Sequence, residues 1–305
     1  MRIHLLLASL GLLAAASKPS GQESSKPFDC GTDTAHASDD FLQTVQSLHD
    51  NANAGSQAAR AALVARDKAR RGTGPVAVDV VFHIVAKSEN KGAITNDMPS
   101  AQLESLNEAY KPYDITFNLI NVTWNTNDAW AIGEKDDDNE MKKTLRQGTY
   151  RTLNLYFQTD LVGGVLGRCT LPSAIANGKD DPTVYFNDGC NINAHTMPGG
   201  AMNGYNRGKT AVHETGHWLG LLHTFEGYTC DGPGDYIDDT PMESTATEGC
   251  PTEPAKRSCP DQQKAEEVDP IHNYMDYSID ECYEGFTNLQ VERMKNMWSM
   301  FRDGN

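Results

Sequence analysis

From Val76 to Val85 the chain carries a near-continuous β-branched run, the pattern of a strand buried on both faces. Leu103, Leu106 and Tyr110 then recur at helical spacing and predict an amphipathic helix over residues 99–110. Ile115, Phe117 and Leu119 alternate with Thr116 and Asn118, which predicts a second strand. A short helix over 140–146, a third strand over 153–157 and a shorter one over 184–186 follow. Near the C-terminus, residues 287–302 read as a helix with a Thr287/Gln290 capping box and Val291, Met294, Trp298 and Phe301 on one face. This mixed order is that of an α+β fold. From Phe225 onward periodic elements become few. Upstream of Val76, the stretch from Phe41 to Val64 looks helical but is too poor in apolar residues to bury much of itself.

Composition changes the picture at the ends of the chain. Its 305 residues, 38% hydrophobic and 22% charged, suffice for one good core or two apposed lobes. No apolar stretch reaches the length of a spanning helix, so no membrane insertion is expected. The apolar run from Leu5 to Ala16 follows a short basic start and ends in small residues. It reads as a secretory signal peptide over 1–16, an uncleaved short anchor being the alternative. Lys68-Ala69-Arg70-Arg71-Gly72 is a paired-basic sequence of the kind processing proteases cut; an ordinary cationic helix face is the other reading. The chain thus divides into a signal peptide (1–16), a propeptide (17–71) and a main domain (72–305). Forty-two acidic against 26 basic residues give a net charge of -16, which argues against nucleic-acid partners. Asn121-Val122-Thr123 is a glycosylation acceptor that makes sense in a secreted protein.

The candidate chemistry lies in His213-Glu214-Thr215-Gly216-His217, continued by Gly220 and His223. Residues four apart on a helix sit one turn apart, about 5.4 Å along the axis, so the rings of His213 and His217 can converge on one ion. Gly220 ends the helix in a left-handed turn, and His223 returns as a third nitrogen. Three imidazoles suit Zn2+ and leave its fourth position open for water, with Glu214 beside it as general base. His83 and His195 are expected to be structural. The cysteines number seven, and Cys30-Gly31-Thr32 stands apart from the rest. Its thiol is a candidate ligand for the open position, holding a zymogen inactive; a disulfide partner or a spare thiol are the alternatives. Cys230, Cys250, Cys259 and Cys282 read as two disulfides in any of three pairings, a thiolate zinc site being the competitor. Asp235, Asp238, Asp239 and Thr240 form an oxygen-rich loop that is a candidate for Ca2+ and equally a solvated turn.

The extended signature, with Asn273-Tyr274-Met275-Asp276-Tyr277 about fifty residues on, resembles the pappalysin branch of the metzincin proteases, most closely secreted fungal-type extracellular metalloproteases. The resemblance implies Met275 as the Met-turn residue beneath the metal and Tyr277 as a phenol approaching the metal and the reacting carbonyl. It favours the interleaved pairing Cys230–Cys259 and Cys250–Cys282, which leaves Cys169 and Cys190 as a third pair. A similar Cys-Gly-Thr occurs in prosegments of that branch, and its members carry calcium near the acidic loop. It implies a twisted mixed sheet with helices in an upper lobe of about 72–222 and a loop-rich, disulfide-stapled lower lobe of about 223–305. The lowest strand of such a sheet is antiparallel and lines the cleft; residues 184–193 are the candidate, binding an extended peptide by strand addition. The loop over 279–286 is expected to wall the pocket beyond the cut. The reading is a secreted, monomeric zinc endopeptidase with protein or peptide substrates. A secreted binding protein using the metal as a staple is the rival, but a staple needs neither Glu214 nor Tyr277.

Overall fold

The computed structural model describes residues 28–32, 34–53, 74–175, 182–264 and 266–304. The expected signal peptide over 1–16 and the paired-basic junction at Arg70-Arg71 lie outside them. Five strands form one mixed sheet: β1 (Val76–Ala86), β2 (Ile115–Thr126), β3 (Leu153–Gln158), β4 (Gly167–Cys169) and β5 (Cys190–Asn193), in the order β2-β1-β3-β5-β4. β1 runs parallel to β2 and β3, β3 parallel to β5, and only β4 is antiparallel. The two-sided burial predicted for β1 holds from Val80 onward, whereas Ala77 and Asp79 are exposed.

Seven α-helices accompany the sheet among the described residues: α1 (Asp39–Asn53), α2 (Met98–Tyr110), α3 (Asp128–Ile132), α4 (Lys135–Leu145), α5 (Pro182–Asn187), α6 (Lys209–Trp218) and α7 (Asn288–Met297). Leu106 and Tyr110 of α2, Phe82 of β1, Phe117 of β2, Phe157 of β3 and Val212 and Trp218 of α6 share one apolar core. That core fixes α6 beneath the sheet. His83 is a core histidine: its ring nitrogens lie 2.8 Å from Thr123 Oγ1 and 2.9 Å from Asn154 Oδ1, and burial pulls its pKa down to about 4.

Four expectations need correction. Residues 184–186 are not a strand but lie within α5, whose first turn Pro182 pre-sets. The antiparallel strand is β4, not a segment of 184–193; β5 does lie in that range but is interior and parallel to β3. α4 starts at Lys135 rather than Glu140, because Asp136, Asp137 and Asp138 favour a helix N-terminus without supplying apolar periodicity. β2 continues to Thr126 past a bulge: Val80 pairs with Leu119 and Val81 with Asn121, so Ile120 is the inserted residue and the alternation changes phase.

At the C-terminus, Thr287 and Gln290 form the reciprocal capping box, and α7 runs into a π-helical turn over Trp298–Arg302. Arg302 is buried against the Trp218 and Tyr150 rings and bonds both carboxylate oxygens of Asp188, at 3.2 and 3.0 Å. Between Phe225 and Phe286 the chain is mostly turns, closed by Cys230–Cys259 and Cys250–Cys282; Cys169–Cys190 joins β4 to β5. Among the described residues Cys30 is the free cysteine.

Candidate metal centre and active site

α6 carries His213, Glu214 and His217, all buried. It ends where Gly220 takes φ +92°, with Gly220 N–H donating to the His217 carbonyl and Leu221 N–H to the Gly216 carbonyl. A Cβ on Gly220 would also collide with Met297. The reversal returns the Leu221 carbonyl to His217 Nδ1 at 2.9 Å, and two residues later delivers His223. His213 Nδ1 lies 2.7 Å from the Tyr274 carbonyl. A carbonyl only accepts, so each Nδ1 carries the hydrogen and each Nε2 is left as a lone pair.

These lone pairs face one another. His217 Nε2 is 3.1 Å from both His213 Nε2 and His223 Nε2, and Cys30 Sγ is 3.5 Å from His217 Nε2. The four donor atoms form one buried cluster with all separations under 4.8 Å. A tetrahedral zinc spaces its nitrogens by roughly 3.3 Å and a sulfur from a nitrogen by roughly 3.5 Å, so the donor set fits that ion. Burial holds His213 and His223 well below the ordinary histidine range and His217 near 4, so all three imidazoles favour the neutral form that could bind a metal. Without a cation, burial also pushes the Cys30 thiol up; coordination inverts that preference.

Glu214 projects to one side of the cluster. Burial raises its pKa to about 8, and its Oε1 is a buried acceptor lacking a hydrogen-bond partner. Gly167 of β4 faces it, where a Cβ would collide with the carboxylate. Beneath α6, Met275 is fully buried, and Gly216 admits its sulfur, since a Cβ there would collide with it. Tyr277 stands over the centre: its hydroxyl accepts from the Cys30 N–H at 3.0 Å and donates to the Cys30 carbonyl at 3.1 Å. Thr32 completes the contact: its hydroxyl accepts from the Cys169 N–H at 2.8 Å and lies 3.4 Å from Glu214 Oε2.

Sequence reading noted Thr32 only within Cys-Gly-Thr, without its contact to Glu214, and did not anticipate Gly167 or Tyr205, whose hydroxyl accepts the Phe28 N–H at 3.1 Å. Of the last two, only Gly167, a glycine in a strand, carried a local signal. Asn121 is exposed on β2, with its amide donating to Gln147 at 2.9 Å. His195 lies outside the cluster. The acidic loop does not gather three carboxylates around one point among the described residues. Asp239 instead takes the Thr287 hydroxyl at 2.6 Å and the Leu289 N–H at 3.0 Å, while the Asp238 carboxylate lies 3.6 Å from His49.

A mixed α+β sheet backed by a helix with three converging imidazoles, a carboxylate beside them and a methionine beneath defines the class: a metzincin-type metallopeptidase. The peptidase family described as pregnancy-associated plasma protein-A matches residues 136–299. An extracellular metalloprotease of Aspergillus oryzae is 45% identical over 256 residues, 75% of this chain and 78% of that protein. One from Neurospora crassa is 42% identical over 299 residues, 95% and 96% of the two chains. Mature mirolysin of Tannerella forsythia, solved with a cleaved peptide, superposes with a TM-score of 0.63 at 26% identity, covering 75% of this chain and 97% of that one. The chain belongs to the pappalysin family and is an extracellular metalloprotease.

Proposed function

We propose that the protein is a zinc-dependent endopeptidase of extracellular proteins, made as a precursor that Cys30 holds latent. The observation that carries this reading is the mutual approach of three Nε2 atoms beside the buried Glu214 carboxylate. His213, His217 and His223 would hold the zinc, which would supply Lewis acidity that activates water near neutral pH and polarises the scissile carbonyl. Glu214 takes the water's proton and returns it to the leaving amine. Tyr277, released from Cys30, donates its hydroxyl hydrogen to the carbonyl oxygen as charge develops there. Tyr274 and Leu221 hold the imidazoles in register through their carbonyls, and Met275 supports α6 from below. The β4 edge accepts the substrate as an added strand in place of residues 29–31.

In the precursor, residues 17–71 act as the propeptide: Cys30 holds its sulfur beside the three imidazoles, where it would serve as a fourth ligand, and Thr32 sits against the general base. Removal after Arg71 frees both. The exposed Asn121 carries an N-linked glycan. For Glu214→Gln we expect casein hydrolysis to fall by about 10²–10⁴, with zinc still stoichiometric by atomic absorption. Undiminished hydrolysis rules out the base. For Cys30→Ala we expect the unprocessed precursor to hydrolyse casein or cut itself, and a fully latent variant removes the thiol from the latency mechanism.

A further inference from the structure

We infer that Tyr205 is a further substrate-holding residue: its hydroxyl takes the backbone of an extended peptide on the edge facing away from β4, next but one to the residue that Tyr277 serves. The inference rests on the peptidase reading above. In the latent chain both edges of the cleft are in use. Toward β4, the Leu166 N–H donates to the Asp29 carbonyl at 2.8 Å and the Gly31 N–H to the Gly167 carbonyl at 2.9 Å. In extended backbone successive residues turn their polar groups to opposite edges, so those of residues 28 and 30 face away from β4. There the Tyr277 hydroxyl accepts the Cys30 N–H at 3.0 Å and donates to the Cys30 carbonyl at 3.1 Å, while the Tyr205 hydroxyl accepts the Phe28 N–H at 3.1 Å. A chain in the cleft is thus held between a strand and a pair of phenols.

The backbone of Tyr205 is fixed by the body of the protein. Its N–H donates to the Met202 carbonyl at 2.9 Å, and Asp280 pins the residues around it, donating its N–H to the Gly204 carbonyl at 2.8 Å and accepting the Arg207 N–H at 2.7 Å. The hydroxyl is bonded differently. Among the described residues its hydrogen-bond partner is the Phe28 N–H, which belongs to the proposed propeptide. Maturation takes that partner away, and a buried hydroxyl left without one costs stability until another group fills its place. Burial and the Asp280 and Glu248 carboxylates push the phenol's pKa up, so it keeps its hydrogen. It can then accept from an N–H or donate to a carbonyl, and so it serves a peptide of either polarity along β4.

The rival reading makes Tyr205 a packing residue, since its ring shares one apolar cluster with Leu166, Phe225 and Tyr277. Packing needs the ring and not the oxygen. Tyr205→Phe therefore separates the two roles.

The full chain, matured and loaded with zinc, is given a peptide long enough to fill the cleft and a series in which each amide outside the scissile bond is replaced in turn by an ester, with the cut located by mass spectrometry. Tyr205→Phe, checked for folding by its melting curve, is expected to raise KM for the all-amide peptide about fivefold, the worth of one neutral hydrogen bond, while kcat stays close to the parent's. One ester in the series is expected to cost the parent a similar factor and to cost Tyr205→Phe nothing. An unchanged KM, or an ester profile identical in parent and variant, overturns the inference. Failure of the parent to cut any peptide counts against the peptidase reading, and affinity then decides the role of Tyr205. The matured Glu214→Gln chain is titrated in a calorimeter with the acetylated peptide of residues 28–36 carrying Cys30→Ala. Adding Tyr205→Phe is expected to weaken that binding about fivefold. Equal affinity overturns the inference.

Discussion

Above the imidazoles the wall of the site is packed hydrocarbon, and below them it is cross-linked loop. Phe82, Phe157, Leu106, Val212 and Trp218 are fully buried in one core that includes α6. Between Phe225 and Phe286 the order comes from Cys230–Cys259, Cys250–Cys282 and buried charge: Lys256 reaches Glu243 at 2.5 Å and Asp269 at 2.9 Å. The halves also contribute differently to the centre. The upper half supplies His213, Glu214 and His217 from one packed helix. The lower half supplies the carbonyl that orients His213, the methionine under α6 and the Tyr277 phenol. Precision on one side comes from close packing, and on the other from restricting what loops can do when unfolded.

The largest expected effects contrast the two directly. Phe157→Ala leaves a cavity beside Phe82, whose ring stands at 5.3 Å, and is expected to lower global stability by about 3–5 kcal/mol. Replacing Cys250 and Cys282 by Ala removes a cross-link spanning 32 residues, about 3–4 kcal/mol on the loop-entropy account. The costs are similar, but the functional outcomes are expected to differ. That disulfide brackets the stretch holding Tyr277 and Ile279, so its loss is expected to cut kcat/KM at 25 °C severely. Phe157→Ala retains activity while the fold persists. Denaturant unfolding with parallel peptide-hydrolysis assays reads both. Equal activity losses per kcal/mol would dissolve the distinction.

A smaller, pH-dependent effect belongs to the upper half alone. His83 has a folded pKa of about 4 against an ordinary 6.5, through burial. The unfolded chain therefore binds the proton first as pH falls, and stability is lost between pH 6.5 and 4. The shift corresponds to roughly 3 kcal/mol, fully present above pH 6.5. His83→Gln is expected to be less stable at pH 7 yet to lose about that much less on acidification. Parallel slopes for parent and variant in pH-dependent unfolding would show that His83 does not titrate with folding.

What was legible in the sequence follows the same division. β1, α2, β3 and α7 declare themselves because burial on a sheet or helix imposes a period, and the metal signature does so because its spacing is that of one helix and its end. The lower-lobe pairing came from family resemblance; four cysteines in loops leave three options open. β4 was missed because three residues including a glycine carry no period, and the 184–186 strand was misread from β-branched and aromatic residues where Pro182 had already started a helix. Thr32 was noted within Cys-Gly-Thr, but its contact with Glu214 and that of Tyr205 with Phe28 each span more than 100 residues of chain, which no local pattern records.

The smallest expected effect lies at the seam between the halves. Asp239, in the acidic loop, takes the Thr287 hydroxyl and the Leu289 N–H, and so caps α7, whose Met294 belongs to the upper core. Losing an N-terminal cap of this kind costs about 1 kcal/mol. Asp239→Ala is expected to lower the stability of the whole chain by that amount in denaturant unfolding, and equally with added calcium or with a chelator. A ligand role predicts otherwise, because an ion bound only to the folded chain adds stability that grows with its concentration. If calcium stabilises the parent by several kcal/mol and Asp239→Ala abolishes that gain, the carboxylate serves an ion, and the lower lobe is organised by a cation as well as by its cross-links. If the 1 kcal/mol difference persists under both conditions, the loop's acidity is spent on a helix end, and the seam is joined by a hydrogen-bonded cap.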